Sequence, residues 1–324
     1  MEAVNTEVTP VPEHTDEAAL REAVRKEMHR AGMSQARLAK ESGIHQSRLN
    51  LWLGGKYSGN GQNVAQELAR WFRAVTERRE QAAAGRLIET PEWLPTPTAN
   101  AIMNALRYAQ NAGDIALIYG GAGVGKTFTA RRYQEDRPCV WIATMTPAMN
   151  SISACLTRIA LAVGTPEIPR GAARAENAII AAVEGRNGLL IVDEAQFLPP
   201  AGLDAVRSLH DASGMGLCFM GNETVYTQIT GGSRKAHFAQ IFSRVGIKTR
   251  LTNPTIGDVE TIVQAWNITD AKGKSLCAEI ARQAGALRGL TKVLRLASMM
   301  LSEGEKALEF LHIQTAWAQL GGAA

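Results

Sequence analysis

Ile115-Ala116-Leu117-Ile118-Tyr119-Gly120-Gly121-Ala122-Gly123-Val124-Gly125-Lys126-Thr127 is an apolar run that ends in glycines and then in Gly-Lys-Thr. A helical pattern comes next. This is G-x-x-x-x-G-K-[ST] between a strand and a helix, where a phosphate-binding P-loop has to sit. Glycine lets the backbone curl so that successive N–H groups point at phosphate, and the helix after the loop adds the partial positive charge of its N-terminus. The stretch Gly120, Gly121, Ala122, Gly123, Val124, Gly125, Lys126, Thr127 and Phe128 is therefore the candidate nucleotide cradle. Lys126 is placed to supply a full charge to the β- and γ-phosphates of a nucleotide, ATP or GTP, and the Thr127 hydroxyl to ligate Mg²⁺.

Working outward, Gly188–Glu194 reads as a strand that ends in two acids. Asp193 is expected on Mg²⁺, and Glu194 is expected to orient and deprotonate the attacking water. Leu217–Asn222 is a further strand, and Asn222 at its end is placed to sense the γ-phosphate. The alternative for Asn222 is an ordinary turn residue. Cys139–Ala143 and Val245–Leu251 complete five short strands. Short apolar strands alternating with helices predict a parallel sheet covered on both faces, with ligands at the carboxyl ends of its strands. Helices are predicted over 99–110, to about 134, and over 151–163 and 172–184.

The flanks are helical. After a polar lead expected to be disordered (1–15), a helix is predicted to about Arg30. Met33–Leu53 then carries helix-turn-helix spacing: Ser34 as a cap, Leu38 and Ala39 inward, Gly43 in the turn, and Leu49, Trp52 and Leu53 on the inner face of a second helix. The exposed Gln35, His45, Gln46, Ser47, Arg48 and Asn50 would face bases or phosphates of DNA, unless this is a protein-interaction domain with solvated polar residues. A helix near 63–80 places Leu68, Trp71, Phe72 and Val75 in the core rather than on a base-stacking surface. Prolines mark 81–98 as a linker, which Trp93 and Leu94 pin onto the next domain. Beyond Leu251 the pattern is helical over 255–266, 274–283, 289–302 and 305–320. The predicted domains are thus 16–80, 99–252 and 253–324.

Charge is uneven. The 324 residues carry a net charge of +4, yet 17–80 holds 12 Lys/Arg against 7 Asp/Glu. That local excess favours an anionic partner. Four widely spaced cysteines read as reduced, mostly buried thiols rather than a disulfide frame or zinc site. No apolar run reaches the length of a membrane span, and the acidic N-terminus is unlike a signal peptide, so a cytoplasmic location is expected. Arg170 with Arg174, and Arg234 with Lys235, are further candidates for DNA phosphate, against the alternative of a solvated charged face.

The P-loop strand, acidic strand, Asn-ended strand and separate helical tail together resemble the AAA+ ATPases. Within them the chain is similar to the phage Mu B transposition protein family. The resemblance is carried by Leu38-Ala39, Glu41-Ser42-Gly43, Gly123–Thr127, Val192-Asp193-Glu194-Ala195, Met220-Gly221-Asn222, Thr230-Gly231-Gly232, Phe242-Ser243-Arg244 and Gly285-Ala286-Leu287-Arg288. It runs from about residue 20 to 318. It implies ATP-dependent assembly of copies of the chain on double-stranded DNA, largely without sequence preference. It also implies target selection, activation of a cognate transposase and an origin in a phage or transposon acting inside a bacterial cell. By the same resemblance Arg244 matches an arginine finger reaching the next subunit's nucleotide, and Arg288 a second sensor at the γ-phosphate. Two other readings stay open: a nucleotide-regulated helix-turn-helix transcription factor, and a helicase-loader-like ATPase.

Overall fold

The structure is a computed structural model. It describes residues 17–31, 33–57, 59, 61–83, 93–167, 170–230, 244–301 and 307–322. The chain forms two compact units, which divide near residue 87.

The first unit holds four helices among the described residues: α1 (Glu17–Arg30), α2 (Gln35–Ser42), α3 (Gln46–Leu53) and α4 (Gly61–Ala83). The Ser34 side chain accepts the Arg37 N–H and so caps α2. Gly43 ends it in the left-handed region (φ 74°), where a side chain would strain the turn into α3. Leu38, Leu49, Trp52, Leu53, Leu68, Trp71 and Phe72 are buried together, so the aromatic residues of α4 are core.

The second unit is an α/β sandwich. Strands β1 (Ile115–Gly120), β2 (Val140–Thr144), β3 (Leu189–Asp193), β4 (Gly216–Gly221) and β5 (Val245–Leu251) form one sheet in the order β2-β3-β4-β1-β5. Every pairing is parallel. The first four strands are almost wholly buried because helices cover both faces. One face carries α5 (Pro97–Ala112) and α6 (Lys126–Asp136), whose Ile102, Leu106, Ala130 and Tyr133 meet Ile118, Ile191 and Met220 of the sheet. The other carries α7 (Ile152–Val163), α8 (Ala172–Val183) and α9 (Pro200–Ser213), packed on Leu117, Leu190 and Phe219. Each of those three sheet side chains is fully buried, a stabilisation of about 1.5–3 kcal/mol apiece. Edge strand β5 alternates between part-buried and exposed, with Lys248 and Arg250 outward. Such charges keep a sheet edge from pairing with another chain.

A helical tail comes last: α11 (Ile256–Ala265), α12 (Ala271–Arg282), α13 (Ala286–Met299) and α14 (Phe310–Gln319), numbered after α10 (Glu223–Thr230). Its own core includes Ile262, Trp266, Leu276, Leu290 and Leu294, and Leu94 packs against that core.

Three expectations need correction. Thr96 and Pro97 are not linker: Thr96 caps α5, and Pro97 occupies its first turn, where a missing N–H costs nothing. Helices α9 and α10 are absent from the sequence pattern. The first begins at Pro200 after an extended Pro199, so that proline pair starts a helix instead of marking a break. The last helix begins at Phe310, five residues later than expected, with Glu309 as its cap. The lead 1–15 lies outside the described residues.

Candidate nucleotide site

β1, β4 and β3 lie side by side, so their carboxyl ends bring three loops to one edge. After β1 the chain turns through Gly120, Gly123 and Gly125, all at positive φ. A Cβ at Gly121 would lie 2.3 Å from the Thr252 carbonyl, and one at Gly123 would lie 2.1 Å from the Gly285 carbonyl. Only glycine lets the loop pass that close. α6 then starts at Lys126 with its N-terminus facing the loop. The Lys126 ammonium donates to the carbonyls of Gly120 (3.0 Å) and Gly121 (2.6 Å). Burial pushes the Lys126 pKa down, and the nearby Glu194 and Asp193 carboxylates oppose that shift. Asp193, the last residue of β3, and Glu194 directly after it lie beside the P-loop.

Asp193 is buried, and its carboxylate accepts the Thr127 hydroxyl (2.8 Å) and the Glu194 N–H (3.0 Å). Burial raises its pKa, against the effect of those two bonds. A hydroxyl and a carboxylate at this spacing, fed by a backbone that binds phosphate, are the hard oxygen donors that suit Mg²⁺. Glu194 has φ 54°, a left-handed conformation that is uncommon for a residue with a side chain. It opens a single turn of 3₁₀ helix, Ala195–Phe197. The Gln196 side-chain amide donates to the Glu194 carboxylate.

Asn222 comes directly after β4, between the P-loop strand and the acidic strand. Its side-chain oxygen accepts the Thr224 N–H (2.9 Å) at the start of α10, and its own N–H donates to the Gln196 side chain (3.3 Å). It thus also serves the turn. Arg288, in the first turn of α13, donates its backbone N–H to Gly123 O (3.2 Å), and its charge is felt at Lys126. Trp93 stacks on Phe128, with ring centroids 5.6 Å apart, directly beyond Thr127.

Arg244 is elsewhere. It precedes β5, at the amino end of the sheet, and pairs with Asp211 of α9. Asp211 also accepts Arg207 (2.5 Å). Arg170 and Arg174 are exposed around the start of α8. Arg234 and Lys235 lie outside the described residues, as do Phe242 and Ser243. In the first unit, Gln35, His45, Gln46, Ser47 and Asn50 are exposed. His45 is bonded to Ser47 (2.8 Å), and Arg48 lies 3.9 Å from Glu67. Sequence reasoning misses Gln196 and Asp211. Gln196 stands two positions after the acidic pair's Glu194, which is the available signal; nothing local points to Asp211.

Residues 109–229 match an AAA domain, and residues 243–320 match the family described as Mu B transposition protein, C terminal. The ATP-dependent target DNA activator B of Escherichia phage Mu is 36% identical over 273 residues, covering 84% of this chain and 86% of that protein. The chain belongs to the Mu B transposition protein family. Another relative is the Mu-like prophage FluMu DNA transposition protein B of Haemophilus influenzae, 33% identical over 80% of this chain and 90% of that one. Among solved structures, a Walker-type ATPase of Pyrococcus abyssi has 12% identity and a TM-score of 0.48, over 68% of this chain and 71% of that one. As a Mu B family member with an AAA domain, the protein is an ATPase with a P-loop fold. No helix among the described residues is long and apolar enough to cross a membrane.

Proposed function

We propose that the chain is a nucleotide switch for DNA transposition. ATP-bound copies assemble on double-stranded DNA with little regard to sequence, mark it as target and stimulate a cognate transposase. Hydrolysis releases the grip. The observation that carries this reading is the division of the catalytic parts. Lys126, Thr127, Asp193, Glu194 and Arg288 gather around one P-loop, while Arg244 precedes β5 at the opposite end of the sheet and pairs with Asp211, which supports a role for it at the nucleotide of another copy.

In the proposed reaction the P-loop N–H groups and Lys126 hold the β- and γ-phosphates. Thr127 and Asp193 would hold Mg²⁺, which neutralises charge between those phosphates. Glu194 takes a proton as water oxygen bonds to the γ-phosphorus, and the bond to the β–γ bridging oxygen breaks with its electron pair leaving on ADP. Arg244 of a neighbouring copy meets the charge that develops. Asn222 and Arg288 report which nucleotide is present. The relatives named ATP-dependent target DNA activator support DNA as the partner. So does the exposed polar start of α3, which fits a groove-facing helix of a helix-turn-helix.

The test is retention of unrelated duplexes with ATP, a non-hydrolysable analogue or ADP. Retention with the first two, little with ADP, similar affinity across sequences and a steep loss with salt are expected. Strong preference for one short operator would mean a transcription factor instead. Binding to a helicase but not to the transposase would mean a loader.

A further inference from the structure

We infer that Gln196 is a positioning residue for hydrolysis, holding the Glu194 carboxylate in a fixed orientation by donating its side-chain amide to one of that carboxylate's oxygens. The inference rests on Glu194 as the base.

Gln196 is itself anchored at several points. Its side-chain oxygen accepts the Asn222 N–H (3.3 Å), and its backbone carbonyl accepts the Gln228 side chain of α10 (3.2 Å). Gly221 clears the space this needs: a Cβ there would lie 2.3 Å from the Gln196 side-chain oxygen. The amide is therefore braced against the end of β4, and the backbone that carries it against α10, two elements outside its own loop. Its nitrogen meets Glu194.

Glu194 needs such a brace. Its backbone is fixed by the 3₁₀ turn at φ 54°, which sets where its side chain starts. Three further rotatable bonds still separate that start from the carboxylate. A general base works only when the carboxylate meets the water at hydrogen-bond distance and angle. One donated bond removes most of that rotation and leaves the second carboxylate oxygen for the proton. The donor's anchor is the strand end that carries Asn222.

The test uses the full chain with duplex DNA and ATP. Gln196→Met keeps the length of the side chain and removes the donor; Gln196→Ala is the second variant. Either should lower kcat about tenfold, with KM and affinity for a fluorescent ATP analogue within about twofold of wild type. The decisive comparison repeats Gln196→Met in a Glu194→Ala background, under single-turnover conditions. If Gln196 acts through Glu194, the residual rate there should change by less than about twofold. An equal loss in both backgrounds, a loss expressed in KM or analogue binding, or an unchanged kcat would each overturn the proposal. Near wild-type turnover in Glu194→Ala would overturn the base assignment itself, which the Gln196 variants alone would not reveal.

Discussion

The two ends of the sheet differ in kind. At the carboxyl end, β1 and β3 bring an ammonium, a hydroxyl and two carboxylates to one loop, and the first turn of α13 meets that loop from the helical tail. At the amino end, Arg244 pairs with Asp211, which also holds Arg207. The carboxyl end gathers the groups that the proposed reading uses to bind a nucleotide and to position a base. It contains no arginine from the start of β5, because a parallel strand starts one end of the sheet away from where it finishes. On the proposed reading, a protomer holds its own nucleotide and hydrolysis waits for a neighbour's Arg244.

The strongest way to break this comparison is Lys126→Ala. It removes the charge from the cradle and should abolish nucleotide binding, ATP-dependent DNA retention and turnover alike, read by filter binding and phosphate release. Retained assembly with ATP would refute the site. Arg244→Ala should lower turnover by about 10³-fold while leaving affinity for an ATP analogue unchanged. A loss of affinity equal to the loss of turnover would place Arg244 at its own nucleotide.

Asp258 sharpens the comparison from the side of the helical tail. It is fully buried and accepts the Thr98 N–H (2.8 Å) and hydroxyl (2.6 Å) and the Thr255 N–H (2.7 Å) and hydroxyl (2.9 Å), tying α11 to the start of α5. Burial pushes its pKa up, but the four donors outweigh burial and leave it below the usual carboxylate value. A depressed carboxylate stabilises the fold fully above its unfolded pKa of about 3.9, and this contribution is lost as pH falls through the folded value. Asp258→Ala should cost about 3 kcal/mol in denaturant unfolding at pH 7, with the difference from wild type shrinking below about pH 4. A pH-independent difference would mean that packing, not the charge, is what is lost. The smallest effect belongs to the first unit. Ser34→Ala deletes the α2 cap and should cost about 1 kcal/mol, without changing turnover in the absence of DNA.

These effects also divide by what the chain reveals locally. The P-loop and the strands β1 to β4 are contiguous signals: an apolar run, then glycines or acids at its end. They are legible because fully buried parallel strands have no polar positions. The start of α5 and the whole of α9 are hidden behind Thr96-Pro97 and Pro199-Pro200. A proline that begins a helix looks, residue by residue, like one that ends it. α10 is short and rich in β-branched residues, so its pattern competes with that of a strand. The brace on Glu194 and the partner of Arg244 depend on pairs 26 and 33 residues apart. The Asp258 tie spans 160. No periodicity encodes such pairs; the fold alone brings them together.

The most direct measurement mixes two inactive proteins. On the proposed reading, Arg244→Ala has an intact nucleotide site and no finger. Glu194→Gln binds ATP and offers its finger but lacks the base. Each alone should turn over ATP at a small fraction of the wild-type rate on DNA. Mixed in equal amounts on DNA, head-to-tail neighbours should restore about a quarter of wild-type turnover per site, falling to nothing when either partner is diluted out. A mixture no more active than the sum of its two components would contradict the claim that a neighbour completes the site.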